Sequence, residues 1–176
     1  PIERGSEPEA RKKLKKLISP FILRRLKSQV LEELPELTEI LLQVEMEEKE
    51  AALYTALRQR ALKNLRQTGG PPGKRSLQIL AEIMKLRRAC CNPRLVLPET
   101  DIPSAKLDLF AKLVAELREN GHKALVFSQF VDHLSLIRKH LDQEGITYRY
   151  LDGSTPSRER QIQVQEFQAG KGDLFL

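Results

Sequence analysis

Two different hydrophobic periods divide the chain. Up to about residue 95 the apolar residues recur at helical spacing, as in Leu53, Leu57 and Ala61, which share one helix face. After residue 104, short apolar runs alternate with helical stripes: residues 124–127 contain no polar residue, and residues 146–151 are rich in β-branched and aromatic residues. The unbroken run at 124–127 is typical of a strand buried on both faces of a parallel sheet.

The first part of the chain therefore predicts mainly helices. From the spacing of apolar residues, Pro and Gly, we predict helices over 7–18, 19–33, 47–66 and about 77–92, a strand over 39–46 and a loop over 69–73. Residues 97–103 contain two prolines and form a less ordered connection.

The second part predicts alternating strands and helices. Strands are expected over 124–127, 146–151 and from Asp173 onward, with helices over about 107–117, 130–141 and from the Gly153 turn to Gln168. Strands separated by helices imply right-handed parallel crossovers, so the fold class is α/β. Because the chain stops inside an apolar run, we expect an excised fragment whose unpaired last strand promotes self-association.

Charge is concentrated in the first part. Residues 1–100 contain 20 Lys and Arg against 13 Asp and Glu, whereas residues 101–176 contain 10 against 11. Basic clusters can neutralise phosphates, although any one of them is more often a solvated helix face. The absence of Trp and the low aromatic content argue against a stacking platform for single-stranded nucleic acid.

Several other classes of protein are disfavoured by the sequence. No apolar run is long enough to span a membrane, and no signal peptide is present, so an intracellular location is expected. The adjacent Cys90 and Cys91 lack disulfide or metal-site spacing. Residues 69–76 do not match a phosphate loop, because Thr68 and Arg75 stand where Gly and Ser or Thr are needed. No catalytic triad and no metal site can be assembled from the sequence.

The strongest candidate for a ligand-binding loop is Leu151 to Pro156. It joins a predicted strand to a predicted helix, so Thr155 can cap the helix with Pro156 at its first position, and Gly153 lets a ligand approach the backbone. Free N–H groups at the helix start would then face a phosphate. Ser128 and Gln129 follow the preceding strand and are expected at the same carboxyl edge of the sheet.

Four blocks of the sequence resemble the Swi/Snf-type DNA-dependent ATPases of helicase superfamily 2. They are PFILRRLKSQVLEELP from Pro20, LRRACCNPRLV from Leu86, SAKLDLFAKLVAEL with GHKALVFSQF from Ser104, and YRYLDGSTPSRERQ from Tyr148 with a following Phe167. Their order and spacing match the start of the second motor lobe. The residues around CCNPRLV look closer to bacterial members.

The resemblance implies a fold with three parts. Residues 1–46 would be the helices, with one strand, where the chain enters the lobe. Residues 47–103 would be a helical protrusion and connection, and residues 104–176 an incomplete RecA-like lobe with a partial parallel sheet and flanking helices. The complete enzyme would use ATP and Mg²⁺ to move along duplex DNA, with the first motor lobe of the same polypeptide as a partner.

This segment alone is expected to be inactive, because the resemblance places the nucleotide-binding lobe and the arginine finger elsewhere. Position by position, Ser128 and Gln129 match the fourth helicase motif, and Gly153, Ser154 and Thr155 match the adjoining loop that contacts the DNA backbone. Arg24, Arg25 and Lys27 match a basic block near the interlobe junction, and Lys106 matches the family's SxKL element. These four are candidates for contact with DNA or the first lobe, while Arg160 and Phe167 match positions expected to be structural. No residue is assigned to catalysis or to a metal.

Two alternatives remain open at this point. The chain could be a noncatalytic basic helical module that binds DNA or protein through residues 1–100, in which case Ser154 and Thr155 would not matter. It could also be a small doubly wound nucleotide-binding domain, although three strands are few for a pocket. The target could be a nucleoprotein complex, in the cytoplasm or nucleoid of a bacterium or in a eukaryotic nucleus.

Overall fold

The computed structural model describes residues 8–23, 38–67 and 72–176 of the chain. The chain divides into two compact units, Pro1–Leu42 and Gln43–Leu176. In the first unit, α1 spans Pro8–Ile18 and is followed by a 3-10 turn, Ser19–Phe21, in which Pro20 lies near the start. The helix predicted from residue 19 to residue 33 is wrong at residues 22 and 23, which are not helical, and its remainder lies outside the described residues.

The strand predicted over residues 39–46 is also wrong. Residues 38–47 form neither helix nor strand, and their side chains are exposed, with Leu41 at 84%. A strand is stabilised by a hydrogen-bonded neighbour and by burial of one face, and among the described residues this apolar segment has neither. A high density of Leu, Ile and Val alone did not distinguish it from an extended segment.

Two long helices open the second unit. They are α2, Glu48–Gln67, and α3, Pro72–Cys91; they pack against each other, and Asn64 Nδ2 donates to Glu82 Oε1 over 3.1 Å. Ala61 is buried, as its place on the predicted apolar face requires. The predicted loop over residues 69–73 is wrong at its end, because Pro72 and Gly73 belong to α3; proline suits a first helical turn, where its missing N–H needs no partner.

Side-chain caps shape the connection to the next helix. Asn92 Oδ1 accepts the Arg94 N–H over 2.9 Å at the start of a 3-10 turn, Pro93–Leu95. Ser104 then caps α4, Ala105–Glu119: its Oγ accepts the Leu107 N–H over 3.4 Å and donates to the Cys91 carbonyl over 3.3 Å. The same serine therefore ties the end of α3 to the start of α4.

A three-stranded parallel sheet follows. Its strands are β1, Ala124–Leu125; β2, Tyr148–Arg149; and β3, Leu174–Phe175, in the order β1-β3-β2. The connecting helices are α5, Val131–Gln143, and α6, Ser157–Gln168. The assigned strands are shorter than predicted, but the ladder continues: Val126 donates to the Phe175 carbonyl and Leu151 to the Leu176 carbonyl.

Buried apolar residues from α4, α5 and the sheet form the core of this α/β part: Val114, Leu134, Ile137, Leu141, Ile146, Leu174 and Leu176. The helices stop where glycine adopts positive φ, +68° at Gly121 and +63° at Gly145, as the spacing predicted. Among the described helices, none combines the length and apolar character needed to cross a membrane.

Two expectations about the strands need correction. The prediction that residues 124–127 are buried on both faces is wrong, because Leu125 is 59% and Phe127 88% exposed, while Ala124 and Val126 pack on the core. The expectation of an unpaired last strand is also wrong. β3 is the central strand and pairs with β1 on one side and β2 on the other.

Candidate nucleic-acid interface

The loops predicted to bind a ligand lie at one edge of the sheet. Because all three strands are parallel, their carboxyl ends face the same way, and Ser128 and Gln129 follow β1 as Gly153 to Thr155 follow β2. The end of the central strand β3 lies between these two loops. The structure thus brings the two predicted loops to one edge, separated by one strand.

The turn after β2 is organised by the carboxylate of Asp152. Oδ1 accepts the Ser154 N–H over 2.8 Å and the Ser154 hydroxyl over 2.6 Å, and Oδ2 accepts the Tyr150 hydroxyl over 2.7 Å. These hydrogen bonds, the Ser154 hydroxyl first, hold the pKa of Asp152 well below its usual range. The turn therefore has a fixed negative charge at its base.

Thr155 does not cap α6 as predicted. Pro156 is the N-cap residue and offers no side-chain acceptor, whereas Thr155 Oγ1 accepts the Asp152 N–H over 3.0 Å and lies 3.3 Å from Asp152 Oδ1. The prediction of free N–H groups throughout the turn is likewise wrong, since the N–H groups of Ser154 and Thr155 are both donated to Asp152. The two hydroxyl residues serve first to build the turn.

Arg160 closes the turn from the other side. Its Nε donates to the Thr155 carbonyl over 2.8 Å, and its NH2 group donates to the carbonyls of Asp152 over 2.8 Å and Gly153 over 3.3 Å. A planar guanidinium can hold several acceptors in a fixed arrangement. These contacts agree with the structural role expected of Arg160.

Gly153 and Ser154 form the exposed tip of the turn. In the part of the chain that the structure describes, no acceptor pairs with the Gly153 N–H. A Cβ built on Gly153 would meet no heavy atom within 4 Å, and its φ is not positive, so the fold itself does not require glycine there. The tip can therefore meet a ligand directly with its backbone.

A network that the sequence did not reveal supports this turn from α5. The Arg138 guanidinium lies 4.2 Å from the Tyr150 ring centroid and 5.8 Å from that of Tyr148, and Arg138 Nε donates to the Tyr148 hydroxyl over 3.3 Å. Tyr148 in turn donates to Asp142 Oδ1 over 2.9 Å. The hydrogen bond from Tyr150 to Asp152 joins this network to the turn.

The loop after β1 is also held by its neighbours. Ser128 Oγ accepts the Phe130 N–H and lies at the same 3.2 Å from the Phe130 carbonyl, a short local turn before α5. Gln129 is exposed, and its Oε1 accepts a hydrogen bond from Arg87 of α3. Since Oε1 is used in this way, the Gln129 amide group keeps its N–H donors for a ligand.

Lys106 lies near the start of α4, exposed to solvent. Burial lowers the pKa of His133, and the positive charge of Lys106 lowers it further. Burial raises the pKa of Cys90, and the Lys106 charge partly offsets that increase. His133 belongs to the first turn of α5, the helix that follows the loop after β1. The remaining predicted basic residues, Arg24, Arg25 and Lys27, lie outside the described residues.

The described part of residues 69–76 does not form a phosphate loop. The Gly-Lys pair of that segment is Gly73 and Lys74. Both lie inside α3, whereas a phosphate loop joins a strand to a helix. Within ranges 8–23, 38–67 and 72–176, no group of three His, Cys, Asp or Glu side chains could hold a metal ion.

The fold and this edge define an α/β lobe of the RecA-like type preceded by helices. Family comparisons agree: the SNF2-related domain matches residues 1–95, and the helicase conserved C-terminal domain matches residues 105–176. The chain belongs to the SNF2-related family. The predicted family and fold class are thereby confirmed.

Curated relatives include eukaryotic and bacterial proteins. The chain is 26% identical over 97% of its length to the CHD3-type chromatin-remodeling factor PICKLE of Arabidopsis thaliana, and 32% identical over 97% to the chromodomain-helicase-DNA-binding protein 1-like of Danio rerio. It is 30% identical over 97% to an uncharacterized ATP-dependent helicase of Mycoplasma genitalium. The chain spans only 13%, 17% and 16% of these three relatives.

Solved structures show the same fold. The Sulfolobus solfataricus SWI2/SNF2 ATPase core in complex with dsDNA superposes with a TM-score of 0.72 at 27% identity, covering 98% of this chain and 38% of that chain. The C-terminal domain of that ATPase superposes with a TM-score of 0.67 at 25% identity, covering 74% of this chain and 58% of the domain.

Proposed function

We propose that this chain is part of the second motor lobe of an ATP-driven translocase that moves along duplex DNA. In this proposal the carboxyl edge of the sheet binds the phosphate backbone: Gly153 and Gln129 supply the donors, and Ser128, Ser154 and Thr155 shape the two loops that present them. The observation that carries it is the convergence of both motif loops on one sheet edge, in a fold that matches an ATPase core solved with dsDNA.

The chemistry of this edge suits phosphate rather than bases. The exposed Gly153 N–H and the Gln129 amide are donors suited to phosphate oxygens, and contacts to phosphate carry no sequence information. Ser154 and Thr155 contribute by folding the turn around Asp152. Binding should therefore be independent of DNA sequence and sensitive to salt.

The nucleotide-binding part of the proposed motor is expected in another lobe of the complete polypeptide. We propose that the first motor lobe holds ATP and Mg²⁺ and that this chain is inactive without it. Arg24, Arg25, Lys27 and Lys106 are proposed to contact DNA or the first lobe. We also propose an intracellular location, because duplex DNA is the proposed substrate, and a nucleoprotein complex as target, which the names of the chromatin-remodeling relatives favour.

Duplex binding tests the role of the edge. Anisotropy of a fluorescein-labelled duplex is measured with the chain at 50 and 200 mM salt, using two unrelated DNA sequences. If three phosphates are contacted, the affinity should fall about 40-fold between these salt concentrations and differ little between the sequences. A strong preference for one sequence at physiological salt would contradict the proposal.

A pair of glycine variants locates the contact. Gly153→Gln places a side chain at the tip of the turn and should weaken binding about tenfold, whereas Gly73→Gln should not; a Cβ at either glycine meets no atom within 4 Å. Under the rival basic-module hypothesis, Gly153→Gln would be silent, whereas replacement of Lys74 and Arg75 by Ala would abolish binding.

A further inference from the structure

The turn between β2 and α6 contains a side chain whose charge is unexpected at a DNA contact. Asp152 is an acidic residue directly before the exposed tip formed by Gly153 and Ser154, where a phosphate is proposed to bind. By simple electrostatics, a carboxylate there would repel DNA. Its contacts indicate a different role.

The carboxylate gathers the donors of the turn. It accepts the N–H of Ser154 over 2.8 Å, the hydroxyl of Ser154 over 2.6 Å and the hydroxyl of Tyr150 over 2.7 Å. Each hydroxyl has a single proton, so the Ser154 hydroxyl cannot donate to a phosphate while it donates to Asp152. Asp152 therefore decides which donors of the turn remain available.

Arg160 fixes the direction of the peptide groups. Its guanidinium donates to the carbonyls of Asp152, Gly153 and Thr155 over 2.8 to 3.3 Å. In a trans peptide the C=O and the following N–H point in opposite directions. Because the Asp152 carbonyl points to Arg160, the Gly153 N–H points away from it.

We propose that Asp152 and Arg160 are positioning residues for the DNA contact: they clamp the turn from opposite sides and thereby present the Gly153 N–H to a phosphate. This inference rests on the proposed function and assigns roles to two residues outside the predicted site. Neither residue itself touches DNA. Tyr150, stacked on Arg138, holds the second oxygen of Asp152 and links the clamp to α5.

The test uses the complete polypeptide and measures ATP turnover at increasing concentrations of duplex DNA. Arg160→Ala should raise the duplex concentration for half-maximal turnover about tenfold, with a smaller change in turnover at saturating duplex, as expected for the loss of a charge-assisted contact. Arg160→Lys keeps the positive charge but loses the planar guanidinium that holds three carbonyls, so it should give an intermediate half-maximal duplex concentration.

The sign of the Asp152→Asn effect separates positioning from electrostatic repulsion. The clamp predicts that this near-isosteric change raises the half-maximal duplex concentration about threefold, because the charge-assisted bonds to Ser154 weaken. If Asp152 merely repelled phosphate, the same change would lower that concentration. A lower value would overturn the proposal even if Arg160→Ala failed to fold.

Arg149→Ala is the matched control. Arg149 also forms a charged contact, to Glu166 over 2.8 Å, but does not touch the turn. The half-maximal duplex concentration of the Arg149→Ala enzyme should therefore stay within about twofold of wild type. A wild-type enzyme without duplex stimulation would refute the proposed function and this inference together. Duplex stimulation with unchanged half-maximal concentrations in the Asp152 and Arg160 variants would refute the clamp alone.

Discussion

Replacement of Arg88 tests how the helical part of the second unit is joined to the α/β part. Arg88 lies near the end of α3, and its Nε and NH2 groups donate to the Leu95 carbonyl over 3.2 and 3.0 Å. The NH2 group also forms an ion pair of 2.8 Å with Asp132 of α5, and the guanidinium lies 5.6 Å from the Phe130 ring centroid. One side chain therefore contacts three segments.

The contacts of Arg88 set the size of the expected effect. Hydrogen bonds from a charged donor to the Leu95 carbonyl contribute about 1.5 to 3 kcal/mol. The ion pair is partly exposed, with Asp132 at 63%, and is worth at most about 1 kcal/mol. Contact with the Phe130 ring adds about 0.5 to 1 kcal/mol. Arg88→Met, which keeps the apolar stem, should thus lower the unfolding free energy by about 3 kcal/mol.

Urea unfolding of the chain, followed by circular dichroism at 25 °C, measures this difference. Asp132→Asn should cost no more than about 1 kcal/mol, and Arg75→Met, at an exposed position of the same helix, should stay within about 0.5 kcal/mol. A cost of less than about 1 kcal/mol for Arg88→Met would show that Arg88 does not join the two parts. An equal cost for Asp132→Asn and Arg88→Met would show that the ion pair, and not the bonds to Leu95, supplies the stability.

Three further changes test the core and the junction. Leu141→Ala empties a fully buried site in the core and should cost about 2 to 5 kcal/mol in urea unfolding. Glu50→Ala removes the acceptor of the Ala105 N–H, 3.1 Å away, and should cost about 1.5 to 3 kcal/mol, whereas exposed Glu48→Ala should cost under about 0.5 kcal/mol. Burial lowers the pKa of His133, so the unfolding free energy should fall as the pH drops below about 6.5, where the unfolded chain takes up a proton that the folded chain resists. His133→Leu should flatten this pH dependence of the unfolding free energy. An unchanged slope would contradict the prediction.

The periodic features of the sequence predicted most of the fold. Ala61 and Val114, which lie on predicted apolar helix faces, are buried, and Gly121 and Gly145 end their helices at positive φ. These signals are local, because they depend on side-chain spacing and on backbone conformations that glycine adopts readily. The strand over residues 39–46 was predicted wrongly because strand formation depends on a distant partner, which a local pattern does not contain.

The candidate site was predicted only in outline. Strand-to-helix position and the glycine identified the turn, but Thr155 was expected to cap the helix, whereas its hydroxyl instead contacts Asp152. The particular contacts of Arg160, Tyr150 and Arg88 were not predicted, because each joins residues that only folding brings together. A local signal was present in the aspartate two residues before a serine, which is typical of a side chain that accepts a nearby backbone N–H.

ATP turnover by the complete polypeptide, with and without duplex DNA, decides whether this chain is part of a duplex-driven motor. We expect duplex to stimulate turnover, and we expect the Ser154→Ala, Thr155→Ala double variant to need more duplex for the same stimulation, because its turn is no longer held around Asp152. Wild-type turnover that does not respond to duplex would contradict the assignment of this chain to a DNA translocase.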